Sequence, residues 1–109
     1  MTTITTDNDC ATLINVFTVD PGRAVELADL LADATERVMQ HQPGFRSANI
    51  HVSADGTRVT NYAQWQDERS YRAMLDNPVS REHMGAAAAL AVSFDPHLYT
   101  VHSVHEHPR

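Results

Sequence analysis

Three observations predict an α+β domain built on one antiparallel sheet. Four segments alternate apolar and polar residues, the stretches between them repeat apolar residues at helical spacing, and the order is strand, helix, strand, strand, helices, strand. In that split βαβ order the two middle strands are joined directly, and the helices fall on one face of the sheet. A chain of 109 residues leaves room for a single domain.

The first ten residues, MTTITTDNDC, are polar and rich in threonine, so residues 1–10 read as a disordered leader and 11–107 as the domain. Ala11–Val19 alternates, with Leu13, Asn15, Phe17 and Val19 on one face and Ile14 and Val16 on the other, which predicts a strand covered on both sides. Asp20-Pro21 supplies a cap and a first-position proline for a helix running to about Gln40, with Val25, Leu27, Leu30, Leu31, Ala34 and Val38 at helical spacing. Pro43-Gly44 ends it and opens a second strand, Phe45–Ser53, and Asp55-Gly56 marks the tight hairpin to a third, Arg58–Trp65. Asp67 caps a short helix carrying Tyr71, Met74 and Leu75 on one stripe. Asn77-Pro78 repeats the cap-and-proline signal for another, whose predicted inner face holds Val79, His83, Ala86, Ala87, Leu90 and Ala91. Asp95-Pro96 breaks that helix, and His97–His105 reads as the fourth strand.

Leu, Ile, Val and Phe total only 23 residues, so the monomer core is expected to be thin. The sheet face carrying Ile14, Val16, Tyr62 and Ile50 lies out of reach of the helices, which predicts that a second copy covers it in a homodimer. A net charge of −6 without a basic stripe speaks against nucleic acid and anionic membrane surfaces. All eight basic residues are arginine, which excludes Schiff-base and pyridoxal chemistry. The lone Cys10 reads as a surface thiol that cannot build a thiolate metal site or an internal disulfide. With no apolar run of membrane-spanning length and no signal-peptide pattern, the expectation is a soluble, cytoplasmic protein. No glycine-rich phosphate loop is present to cradle a nicotinamide or flavin.

The stretch Asn61-Tyr62-Ala63-Gln64-Trp65 followed by Tyr71, with Pro43-Gly44-Phe45 before the second strand and Asn15 in the first, resembles the antibiotic biosynthesis monooxygenase family. Within it the chain is similar to the cofactor-free oxygenases that convert anthrones to quinones in aromatic polyketide pathways. The resemblance implies a ferredoxin-like domain that dimerises into an α+β barrel. It also implies oxidation of a polycyclic aromatic with O₂ as co-substrate and no cofactor, in a cleft between sheet and helices. A last-helix arginine lines the site in such oxygenases, where this chain has His83, Met84 or Gly85; Arg81 is nearby but off the predicted apolar stripe. The family also contains haem-degrading members, and Asn15 and His83 stand near two of their site positions, with Met74 where a tryptophan is expected.

Alternation places Asn61 and Trp65 on one strand face and Asn15 and Phe17 on one face of another. A buried amide left unpaired costs about 1–3 kcal/mol, so Asn15 and Asn61 must bond either internal groups or a ligand. Asn61 is a candidate to hold an enolate oxygen, and Trp65 and Tyr71 a candidate aromatic wall, with the Tyr71 phenol donating or relaying a proton. His83, on a helical stripe, is a candidate base. Asn15, Phe17, His51 and Met74 are candidate substrate contacts, with His51 read in register with Phe45, Ser47 and Asn49. His105 and His107 point the same way if the last strand continues, but lack a third ligand at useful spacing, so no metal site is assigned. A small-molecule-binding domain without turnover is the alternative from another class, haem breakdown the alternative within the family.

Overall fold

A computed structural model describes residues 1–7 and 9–108; position 8 of the predicted leader lies outside them. The strands are β1 (Ala11–Thr18), β2 (Phe45–Val52), β3 (Arg58–Trp65) and β4 (Ser93–Tyr99), and the helices α1 (Ala24–Arg37), α2 (Glu68–Asp76) and α3 (Pro78–Leu90). They form one antiparallel sheet in the order β2-β3-β1-β4 with the helices on one face, the ferredoxin-like arrangement expected from the sequence.

The inner face follows from the pairing of β1 with β3. Leu13 lies opposite Ala63, Asn15 opposite Asn61 and Phe17 opposite Val59, so two rows of inward side chains meet beneath the helices. Phe17, Leu27, Val59 and Ala87 pack at one end of this layer, and Leu13, Trp65, Tyr71 and Met74 at the other. Each end is small, in keeping with a short supply of large apolar residues.

Local chemistry fixes the helix starts. The Asp67 side chain accepts a 2.7 Å hydrogen bond from the Ser70 backbone N–H, and Asn77 accepts from Val79 and Ser80 at 2.9 and 3.2 Å. Asp20 makes no such side-chain bond; Pro21–Arg23 forms a single tight turn before α1. Gly44 has φ +84° and packs so close to Ser70 that a Cβ there would overlap it, while its carbonyl accepts a 2.7 Å bond from the Gln66 N–H. That turn ties β2 to the start of α2.

Three predicted boundaries or faces move. The last strand begins at Ser93 and ends at Tyr99, with Pro96 inside it, because β4 is an edge strand that needs hydrogen bonds on one side only. Residues 100–108 form no strand, and among the described residues no three His, Cys, Asp or Glu side chains gather as a metal site. In β2 the register shifts by one residue between Phe45 and Ser47. This bulge sends Ile50 inward against the core and leaves His51 exposed, opposite Thr60 on the outer face.

The leader region also differs from a frayed end: Thr2 and Thr3 are hydrogen-bonded to Asn49 and Gln64 on the outer sheet face. Cys10 is buried rather than at the surface. No described helix is long and apolar enough to cross a membrane.

Candidate active site

A cavity of about 400 Å³ separates α3 from the inner face of the sheet, within the range of small-molecule sites. Its floor is the cross-strand pair Asn15 and Asn61. Both Oδ1 atoms are buried without a hydrogen-bond partner, and among the described residues neither amide bonds any protein group. Strand alternation aims both amides inward, and the direct register of β1 on β3 brings them side by side. Two adjacent primary amides thus supply unused donors and acceptors to a cavity otherwise lined mainly by carbon.

Aromatic rings close one end. Trp65, 2% exposed, meets Phe45 edge-on at a centroid distance of 5.4 Å and Tyr71 at 6.3 Å. The Tyr71 ring is buried, its hydroxyl has no hydrogen-bond partner among the described residues, and burial raises its pKa above the ordinary 10.0. A phenol held in that state stays protonated at neutral pH and can donate a hydrogen bond into the cavity. Met74, one helical turn on from Tyr71, and Phe17 complete the apolar lining on α2 and β1.

The helix α3 forms the opposite wall. His83 lines the cavity half-buried, with no hydrogen bond to a protein group among the described residues. The inner face is rotated from its predicted position: Ser80 and Ala87 are the buried residues, whereas Val79 is 51% exposed and Ala86 is exposed. Rotation brings Arg81, Met84, Gly85 and Ala88, spaced i, i+3, i+4, i+7, along the cavity. Arg81 therefore borders the site despite lying off the predicted stripe. Phe45, Phe94 and Pro96 also line it; the sequence pattern marks Phe45 only as the start of a strand, and it puts Phe94 and Pro96 before the last strand rather than in it.

Of the eight candidate residues, Asn15, Phe17, Asn61, Trp65, Tyr71, Met74 and His83 share this cavity. His51 does not: the β2 bulge places it on the far side of the sheet.

Residues 11–89 match the model of the family described as antibiotic biosynthesis monooxygenase. The chain is 47% identical over 83 residues to tetracenomycin-F1 monooxygenase of Streptomyces glaucescens, covering 76% of this chain and 74% of that protein. The monooxygenase from the gene ActVA-Orf6 of Streptomyces coelicolor, solved with nanaomycin D, superimposes with a TM-score of 0.81 at 30% identity, over 90% of this chain and 92% of that one. SnoaB of Streptomyces nogalater, a cofactor-independent oxygenase, does so in the structure of a single-site mutant with a TM-score of 0.78 at 27% identity, over 88% and 96%. Sheet order, the cavity against α3 and these matches agree, and the chain belongs to the antibiotic biosynthesis monooxygenase family.

Proposed function

We propose that this monooxygenase oxidises a polycyclic phenol of the anthrone type to a quinone with O₂ and without metal, flavin or haem. One observation carries the reading: two amides with no protein partner among the described residues, Asn15 and Asn61, at the floor of an apolar cavity. The relative named for tetracenomycin F1, the neighbour holding nanaomycin D and the neighbour described as cofactor-independent support the substrate class and the lack of a cofactor.

The substrate's ring carbonyl sits against the amides, whose N–H groups donate to it. His83 removes a proton from the methylene carbon across the ring, and the electron pair moves through the ring onto that oxygen, held as an enolate. The electron-rich carbon passes one electron to O₂, and the carbon radical and superoxide join in a C–O bond, which protonation turns into a hydroperoxide. Loss of the second proton from the same carbon breaks the O–O bond, with Tyr71 positioned to protonate the departing oxygen. Water leaves and the quinone carbonyl remains. The methylene gives up four electrons, O₂ accepts four, and the protein orients, deprotonates and shields.

Incubation with an anthrone under ¹⁸O₂ tests the reading. The expected product is a quinone carrying one ¹⁸O atom, formed faster than autoxidation. Tight binding with no product above autoxidation would return the cavity to a non-catalytic binding role.

The active form is a homodimer. Ile14, Val16 and Tyr62 project from the sheet face opposite the helices and are only half-buried, a face suited to a second copy.

A further inference from the structure

We propose that Met39, Met74 and Met84 are modified during turnover, their thioethers taking an oxygen atom from the substrate hydroperoxide inside the cavity; the inference rests on the oxidation proposed above. Of the four methionines in the chain, all but Met1 line the cavity. Met39 comes from the tight turn after α1, Met74 from α2 and Met84 from α3. Tertiary packing brings them to one place: Met74 is buried with Leu13, Trp65 and Tyr71, and Met39 and Met84, half-buried, pack against that same cluster.

That end of the cavity is where the O–O bond breaks in the proposed reaction, since Tyr71 meets the departing oxygen there. A thioether is readily oxidised to a sulfoxide, and the unbranched methionine side chain has three rotatable bonds with which to bring its sulfur to a bound molecule. In the transfer, sulfur bonds to the terminal peroxide oxygen, the O–O bond breaks, and the proton of that oxygen passes to the oxygen left on carbon. Sulfur loses two electrons and the hydroperoxide gains two. One methionine sulfoxide and one alcohol form where a quinone and water would have formed.

The two outcomes compete at the same intermediate. Loss of water from the hydroperoxide takes a proton from carbon and needs a base in position, whereas oxygen transfer to sulfur needs none. A substrate seated with that carbon away from His83 therefore partitions towards sulfur. Each transfer puts a polar sulfoxide into a lining that is otherwise mainly carbon, so activity should decline with the number of turnovers rather than with time. Cys10, the one thiol of the chain, is not part of this lining and does not compete for the oxygen. Gap filling, the usual use of methionine in a core, entails no chemistry at sulfur.

The test gives the intact wild type an anthrone under ¹⁸O₂, with N-acetylmethionine in solution as a reporter of free peroxide and with catalase present or absent, followed by mass spectrometry of the digested protein. Sulfoxide carrying ¹⁸O is expected within the group Met39, Met74 and Met84, at least about tenfold above protein held under ¹⁸O₂ without substrate. Catalase should leave that label unchanged while keeping N-acetylmethionine unlabelled, and the activity lost should track the label. In Asn61→Ala the label should fall together with the quinone. Quinone formation with no label at any of the three methionines overturns this inference alone, as does label that catalase erases or that sits on Trp65 or Tyr71 instead. No quinone above autoxidation overturns the proposed oxidation, and this inference with it.

Discussion

At the scale of single residues, the sequence leaves two roles open for Asn61, and its surroundings bear on the choice. A buried amide bonded to the backbone would be a stability element, and its loss would leave an orphaned partner. Among the described residues Asn61 has no such partner, so Asn61→Ala removes no internal hydrogen bond with them. The expected outcome is a fall in turnover of about 10- to 1000-fold, the range for losing a donor aimed at developing charge. The melting temperature should hold or rise. Turnover and thermal unfolding measured on one preparation check this, and a destabilised variant with full specific activity would remove Asn61 from the mechanism. The inward direction of Asn15, Asn61 and Trp65 was legible because strand alternation has a period of two. That Asn15 and Asn61 face each other was not, since register between strands is a tertiary property. His51 was misplaced for a related reason: one bulged residue in β2 reverses every side chain after it, and no turn signal marks a bulge in the sequence.

At the scale of elements, capping chemistry was the most readable feature. Asp67 and Asn77 were identifiable as caps from residue type and neighbours alone, and both bond as expected. The rotation of α3 was not readable, because four consecutive alanines and a glycine leave its apolar face without a sharp edge. That blandness leads to a prediction at Gly85. A helix-interior glycine costs about 1 kcal/mol relative to good helix formers, and open space surrounds the missing Cβ. Gly85→Leu should therefore raise the melting temperature while filling the cavity and lowering activity at least tenfold, a pairing of effects that a purely structural site would not give.

The β2–β3 hairpin carries its own pH dependence. The Asp55 carboxylate accepts from Ser53 Oγ at 2.8 Å and from the Thr57 N–H and Oγ1 at 3.0 and 2.7 Å. These bonds, those from Thr57 foremost, lower its pKa from 3.8 to about 2. Because the folded value is the lower one, its stabilising effect is complete above pH 3.8 and is lost as pH falls towards 2. Asp55→Asn should thus melt below the wild type at pH 6, with the gap closing as pH falls through that window. A gap independent of pH would mean that the charge has no part in holding the turn.

At the scale of the whole molecule, the ferredoxin-like order was legible because each strand and helix carries its own periodicity. A pattern of elements in that sequence allows few topologies. The thin core pointed towards a partner subunit, and the outer face of Ile14, Val16 and Tyr62 is where that partner is expected. Burial of about 800 Å² per subunit is the usual scale of a stable interface. Light scattering should give twice the 12.1 kDa chain mass at micromolar concentration, and Tyr62→Arg should shift it towards the monomer. A monomeric wild type would contradict the homodimer.

The claim on which the account turns is that the cavity makes and holds an enolate before O₂ reacts. Mixing the protein with an anthrone under strictly anaerobic conditions at neutral pH isolates that step. The predicted result is the visible absorbance of the enolate, appearing with the wild type, much weaker with Asn61→Ala, and decaying to quinone when O₂ is admitted. Absence of the enolate band while quinone still forms on exposure to air, or an equal band in Asn61→Ala, would contradict the account.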